Sequence, residues 1–560
     1  MSAEDKVWLK TVEEETRYID GHYEIPMPLK GNTPFPDNKK QALFRAEHLK
    51  RKMNRNEKYM EDYKKFVNDL IEKNYAKRVE DDRSNSAGHT WYIPHHGVYH
   101  PVKPDKIRVV YDCYAKFKNV SLNERLMQGP NLTSSLLGVL IRFREQPFAI
   151  MADIEKMFYQ VHVPSRHRSL LRFLWWPNGD IQQDLKEYQV NVHLFGAISS
   201  PSCANYALRR SARDFGNDFH PDVRLSIAKS FYVDDYLKSC STAEELFAIT
   251  QGVKDCCAKG GFRLTGFVSN SLDTLTGLPE ADCVFPDKVD LTRDSPAPQR
   301  ALGVQWNIRN DTLSFRIDIR QGPATRRGIR TVSAVYDPLG FGAPFILPAK
   351  ILLQDLCRIK LGWDDQIPEV YLRKWNQWCE QLEQLRAFSV PRSLTRNAPT
   401  LEKQLHLFAD ASESGYGVAA YYRTTANDGS VSTSLLMSKS RVAPLKTCSI
   451  PRLALAAAIL AVQLSTQICQ ELELPIEGVF FWTDSMSNMR YINNETSRFQ
   501  TFVANRLTII HDGSKPHQWR HVPSALNIAD ALSRGISAQE LYESDWITGP
   551  AFLKRPESES

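Results

Sequence analysis

The sequence predicts a mixed α/β (α+β) protein of several domains, and three observations carry that prediction. Its 560 residues amount to about four typical domains. Apolar strands alternate with helical stretches from Phe148 to Lys259 and again from Leu405 to Thr483. A composition of 42% hydrophobic and 24% charged residues is globular rather than disordered or fibrous. The balance of 71 Lys+Arg against 65 Asp+Glu permits a polyanionic partner without requiring one. The longest apolar run, Leu453 to Val462, is half of what a membrane span of about 20 residues needs, so no membrane partner is expected. Acids and the lack of an apolar stretch in the first twenty residues leave no secretory signal to expect. Ten cysteines without a C-x-x-C pair suit a reducing compartment.

Along the chain, Pro26, Pro28, Pro34 and Pro36 break a polar opening, read as an extended lead-in over residues 1–40. Residues from Lys40 to Asn74 are helical, with Tyr59, Met60, Tyr63, Phe66, Val67, Leu70 and Ile71 as the apolar stripe. Arg45, Lys50, Arg51, Lys52 and Arg55 face a single acid, Glu47, which suits a solvated helix face or contact with a phosphate backbone. Trp91 to Val98 and Ile107 to Tyr111 are two strands around a Pro101–Pro104 turn. Then come a strand at Phe148 to Met151, strands at Ser169 to Trp176 and Tyr188 to Val192, and a helix opened by Ser200-Pro201. A strand–turn–strand over Phe231 to Leu237 and a helix over Ala243 to Lys259 complete a split βαβ, ferredoxin-like plan. Pro-, Asp- and Ser-rich residues 269–299 mark a boundary, and Pro391 to Pro399 a linker. Beyond it, Leu405 to Ala409 and Val479 to Thr483 are strands, Gly415-Tyr416-Gly417 a turn, and Ser449–Pro451 caps a long helix.

The chemistry lies in acids placed where apolar strands end. Asp153 closes Phe148-Ala149-Ile150-Met151-Ala152, and Asp234-Asp235 interrupts Phe231-Tyr232-Val233 and Tyr236-Leu237. Asp-Asp suits an exposed turn. It also suits two-metal phosphoryl transfer, which needs hard oxygen ligands converging from different strands.

These residues carry a resemblance. Tyr232-Val233-Asp234-Asp235 resembles the central motif of reverse transcriptases, Asp153-Ile154-Glu155-Lys156-Met157-Phe158 their first palm motif, and Leu194-Phe195-Gly196-Ala197-Ile198-Ser199-Ser200-Pro201-Ser202 the nucleotide-facing segment between them. Tyr92-Ile93-Pro94-His95-His96-Gly97-Val98, Arg108-Val109-Val110-Tyr111-Asp112, Ser121-Leu122-Asn123, Gly129-Pro130 and Tyr336-Asp337-Pro338-Leu339-Gly340 extend it towards BEL/Pao long-terminal-repeat retrotransposons. The resemblance implies a right-hand polymerase: fingers with the start of the palm over 41–150, palm over 151–300 and thumb/connection over 301–395. An RNase H-like α/β domain over 401–540 and a C-terminal tail over 541–560 follow. It implies Mg²⁺ or Mn²⁺ on Asp153 and Asp234, with Asp235 an accessory acid. Phe158 would sit under the sugar and favour dNTP substrates, or else be a core Phe. Arg108, and less directly Lys106, would bind the triphosphate. Gly196 would let backbone approach the nucleotide beside Phe195. Leu302-Gly303-Val304-Gln305-Trp306 resembles the primer-gripping hairpin, though Trp306 serves equally as core.

The last domain repeats the device. Asp410 ends Leu405-His406-Leu407-Phe408-Ala409, Asp484 ends Phe480-Phe481-Trp482-Thr483, and Asp530 lies in Asn527-Ile528-Ala529-Asp530-Ala531-Leu532-Ser533-Arg534. Together they resemble three of the four metal-binding carboxylates of RNase H, with His521 its mobile His or merely structural. Two departures stand out. Gly266, in Gly260-Gly261-Phe262-Arg263-Leu264-Thr265-Gly266-Phe267, replaces the Lys thought to protonate pyrophosphate. Ala454, in Ser449-Ile450-Pro451-Arg452-Leu453-Ala454, replaces the Glu of the RNase H set, so cleavage should be impaired or absent. The implied partners are an RNA template, a DNA or RNA primer and RNA–DNA hybrid, in the cytoplasm, in a virus-like particle or in the nucleus. The rival expectation is a decayed or domesticated copy that binds RNA or hybrid without polymerising. A hybrid-cutting nuclease is disfavoured by Ala454.

Overall fold

In the computed structural model, residues 1–80, 88–100, 103–291, 302–317, 324–333, 336–395, 400–494 and 498–555 are described. Parts of four expected features lie outside them: positions 101–102 of the turn, 292–299 of the boundary stretch, 396–399 of the linker and 556–560 of the tail. Four strands form one sheet in the spatial order Leu264–Ser269, Phe148–Ile154, Asp235–Cys240, Phe231–Tyr232. Numbered along the chain this order is 4-1-3-2. Helices Ser200–Phe215 and Pro221–Lys229 follow the first strand, and Ala243–Lys259 precedes the last, so the expected βαββαβ plan is present.

By contact, the chain forms two units. The first comprises Met1–Ser134, Ala152–Tyr236 and Ala248–Phe267. Its start corrects the expected extended lead-in: Ala3–Glu15 is a helix, followed by a hairpin of Arg17–Ile19 and His22–Glu24. Ser2 and Asp5 cap the helix reciprocally, and Trp8 and Val12, one turn apart, are fully buried. That capping box was readable, but the later prolines outweighed it. The helical stretch expected from Lys40 to Asn74 consists of two helices, Lys39–Arg55 and Glu57–Glu72. Asn56 divides them: its extended backbone stops the first, and its side chain accepts from Tyr59 N (2.9 Å) to start the second. Tyr59, Tyr63, Val67 and Leu70 then bury the predicted stripe. The strands beside it are His95–His100 and Lys103–Tyr111, paired antiparallel.

The second unit comprises Ser135–Met151, Leu237–Phe247 and Val268–Ser560. Its five-stranded sheet runs Val431–Val442, Gly415–Ala426, Thr400–Ala411, Gly478–Thr483, Trp519–His521. The first three are antiparallel neighbours, and the last two add in parallel. Gly415 to Gly417 begin a strand rather than forming the expected turn. A Cβ at Gly417 would lie 2.5 Å from Leu532 Cβ and 2.8 Å from Lys439 O, so close packing rather than chain reversal requires the glycine. Helix Ile450–Glu471 packs on this sheet. It is the one helix among the described residues long and apolar enough to cross a membrane, and most of it is buried inside the fold.

Two buried arginines organise the same unit. Arg392 donates to the carbonyls of Phe143 (2.6 Å), Gln146 (2.8 Å) and Pro147 (2.6 Å), and its Nε and Nη2 meet the Asp311 carboxylate at 2.6 and 2.8 Å. Arg144 donates to the carbonyls of Arg392, Leu436 and Pro391. Trp306, fully buried against Phe143, donates to Asp311 as well, which assigns this ring to the core. Every donor near the acid has an acceptor, so Arg392→Met leaves one carboxylate and three carbonyls short of partners. That change should cost about 3–5 kcal/mol, the usual effect of breaking a buried ion pair, read as a fall in thermal unfolding temperature. Arg392→Lys should recover little of it, because an ammonium cannot fork across these acceptors.

Candidate active sites

The first site is built on adjacent strand ends in the first unit. Ile154 N donates to Asp234 O (3.0 Å), which sets Asp153 beside the hairpin carrying Asp234. Glu155 N donates to Arg263 O (3.0 Å), and the Arg263 guanidinium meets the Glu155 carboxylate at 2.7 Å. In the hairpin Tyr232 pairs with Asp235, leaving Val233 and Asp234 as its two tip residues. Val233 has φ +57°, at a position usually reserved for glycine. A β-branched residue there stores strain of about 1–3 kcal/mol, held by the surrounding strands. Asp153 is exposed, Asp234 half-buried and Asp235 buried. Asp235 therefore backs the site, and the other two acids front it.

Three nucleotide-binding candidates form a chain of contacts. The Arg108 guanidinium lies 5.8 Å from the centre of the Phe195 ring, and that ring is 5.8 Å from Phe158. Lys106 is exposed two residues from Arg108 on the same strand. Gly196 has φ +120°, and a Cβ there would meet Tyr111 O at 2.4 Å. Only glycine fits. The loop is clamped by Asn123, which donates to Gly196 O (2.9 Å) and accepts from Ile198 N (2.9 Å). Asn123, in Ser121-Leu122-Asn123, has no sequence signal of its own beyond its polarity; that a polar residue is only 3% exposed is what marks it as a structural clamp. Gly266 has φ +68°, with nothing within 4 Å of where a Cβ would stand.

The second site lies in the second unit. Strands Thr400–Ala411 and Gly478–Thr483 are parallel, with Ala409 opposite Thr483, so Asp410 and Asp484 follow at matching ends. Asp530 begins helix Asp530–Arg534 and meets Arg534 Nε at 2.6 Å. Ser524 Oγ donates to Asp484 (2.6 Å). Burial raises the Asp410 carboxyl to about 6; Ser533 opposes the shift, and the charges of Asp484 and Asp530 add to it. The three acids are thus within electrostatic reach of one another. His521 is exposed and pairs in register with Thr483, beside Asp484. Ala454 is buried on helix Ile450–Glu471, with Pro451 in its first turn as expected.

Among the described residues, no three His, Cys, Asp or Glu side chains close tightly enough to enclose a metal unaided. Each site instead offers a few hard oxygens at strand ends: exposed Asp153 with half-buried Asp234 in the first, and half-buried Asp484 and Asp530 beside buried Asp410 in the second. That arrangement fits Mg²⁺, which typically takes one or two carboxylates and completes its shell with water and substrate phosphates.

Residues 324–485 match the family described as Pao retrotransposon-like RNaseH-like domain. Among solved structures, the chain is similar to a foamy viral protease-reverse transcriptase dRH in complex with ds DNA, at 14% identity and a TM-score of 0.54, over 84% of this chain and 70% of that one. A foamy viral protease-reverse transcriptase in complex with dsDNA is similar at 13% identity and a TM-score of 0.50, over 94% of each chain. At this identity the likeness establishes the fold, that of retroelement reverse transcriptases with an RNase H-like domain. No curated protein matches the chain in sequence.

The Asp410 shift has a consequence for stability. Its folded value of about 6 lies above the ordinary carboxylate value, so the folded state prefers the protonated acid. The stability this contributes is present below about pH 4 and is lost as pH rises to about 6, on the order of 2–3 kcal/mol without metal. Asp410→Asn should therefore raise the unfolding temperature at pH 7.5 in EDTA and change it little at pH 4.

Proposed function

We propose that the chain is an RNA-directed DNA polymerase of a retroelement, extending a primer 3′-OH by nucleotidyl transfer. The observation that supports it best is the backbone bond joining the Asp153 strand to the Asp234 hairpin, with the Arg108–Phe195–Phe158 contacts in the same unit. Asp153 and Asp234 would hold the divalent cations, and Asp235 would keep the hairpin acidic from behind. Such cations, when bound, neutralise the phosphates and ease ionisation of the attacking hydroxyl. Arg108 and Lys106 bind the triphosphate as cations on the exposed strand. Phe195 packs beside Arg108, and Phe158, in contact with Phe195, would exclude a ribose 2′-OH and so favour dNTP substrates. Gly196 lets the backbone draw close without a side chain in the way.

A second reading is a copy that binds RNA or hybrid without polymerising. Gly266 favours it, since no side chain there can supply a proton to pyrophosphate, and Arg263, tied to Glu155, is a poor acid. Primer extension on an RNA template with Mg²⁺ and dNTPs separates the two. Extension that disappears in Asp234→Asn supports the polymerase, whereas hybrid binding without extension in the wild type supports the binder.

For the RNase H-like domain we propose hybrid cleavage weakened by the missing acid at 454. Ala454→Glu should raise Mg²⁺-dependent cleavage of the RNA strand by about 10–100-fold, the range over which partners of a metal site usually act. Cleavage already efficient in the wild type and unmoved by this change would refute the weakening.

A further inference from the structure

Helix Lys39–Arg55 buries Ala42, Ala46, Leu49 and Met53 and turns a different chemistry outward. At 100° per residue, Lys40, Phe44, His48, Arg51 and Arg55 fall within an arc of about 80° opposite that buried face. All five are exposed, Phe44 by 63%. Phe44 and His48 contact each other with ring centres 4.6 Å apart. Of the helix's other cations, Lys39 pairs with Glu187, Arg45 pairs with Asp112, Lys52 lies over the Tyr59 ring, and Lys50, half-buried, lies off the stripe towards Asp180. Among the described residues, none of Lys40, Arg51 and Arg55 has an ion-pair partner, and the only acid of the helix is Glu47, at the edge of the stripe. Exposed rings flanked by unneutralised cations suit a strand whose bases can stack and whose phosphates run alongside. A duplex, with its bases already stacked, offers no such face.

We propose that this stripe binds the single-stranded RNA template, with Phe44 and His48 as the base-stacking platform and Lys40, Arg51 and Arg55 on the backbone phosphates. Its occupant rests on the polymerase reading, but the surface is separate from the residues that would carry the chemistry. Arg45 fixes the helix to Asp112, just past the strand carrying Arg108, and Lys52 reaches Gly97 O on its partner strand. A template held here is therefore held on a helix tied to the hairpin that carries Arg108.

The test measures binding of the full chain to two fluorescein-labelled RNA–DNA hybrids of equal duplex length. One is blunt, and the other carries a 5′ RNA tail of about 12 nucleotides, within the site size of single-strand binding grooves. The wild type should bind the tailed hybrid more tightly. Phe44→Ala with His48→Ala should weaken the tailed hybrid about tenfold, the scale of one lost stack, and leave the blunt one unchanged. Phe44→Trp should retain the preference, which loss of fold would not allow. Arg51→Gln with Arg55→Gln should flatten the salt dependence for the tailed hybrid by about 0.7 per cation removed. The proposal fails if the wild type ignores the tail, if the double alanine variant weakens both hybrids equally, or if polyglutamate competes as well as single-stranded RNA. A wild type that binds both hybrids equally removes this proposal alone; one that binds neither also removes the nucleic-acid reading.

Discussion

Arg392 and Asp311 are the contact on which the junction of helix Leu136–Glu145 and strand Phe148–Ile154 depends. The guanidinium is fully buried, which is tolerable only because each direction it presents meets an acceptor: one carboxylate and three carbonyls. Those carbonyls belong to Phe143, Gln146 and Pro147, the residues that end helix Leu136–Glu145 and lead into strand Phe148–Ile154. Such a segment has unsatisfied carbonyls by construction. The buried arginine satisfies them and fixes where the strand starts, and Asp153 is the sixth residue of that strand. Arg144 repeats the solution from the helix itself; burial and the nearby Arg392 bring its guanidinium down to about 9. It nonetheless stays charged at neutral pH, because three carbonyls share its protons.

Both carboxylate sites use strand ends, for one electrostatic reason. Along a strand a carboxylate faces either core or a neighbouring side chain, whereas at the end it can be apolar-backed and solvent-fronted at once. Asp410 shows the cost of going further in. It is 7% exposed, and with two acids nearby it holds its proton to about pH 6. Asp153, exposed, avoids most of that desolvation. At the first site the backbone carries a cost of its own: Val233, at the hairpin tip beside Asp234, is held at φ +57°.

How much of this was legible in the sequence depended on whether the signal was local. Strand-end acids are local: an apolar run followed by Asp names Asp153, Asp410 and Asp484, and each stands where that pattern puts it. Ser200-Pro201 and Pro451 opened helices for the same reason. The N-terminal helix was hidden because four later prolines coloured the whole stretch, although Ser2, Asp5, Trp8 and Val12 carried its signature. Asn56 was missed because its capping role shows only when the helix stripe is tested for a break. Arg144 and Arg392 could not have been found this way. An arginine reads as exposed whether its neighbours are apolar, as around Arg144, or mixed, as around Arg392, and only tertiary contact reveals the carbonyls that permit its burial.

The two departures from the family pattern differ in what they ask of the fold. Gly266 sits at positive φ with open space around it, so a lysine would encounter no clash but would adopt a backbone region that favours glycine. Glycine is thus the locally comfortable residue. Ala454 sits buried in the first turns of a helix that packs on the sheet of Asp410. An acid there would be desolvated in a domain whose first carboxylate is already reluctant to ionise, and only bound cations would offset that cost. Alanine is also the better helix former. Without cations, then, both local propensity and electrostatics favour alanine at 454. A glutamate there gains from loading of the second site with cations, which links the identity of one buried residue to the use of that site.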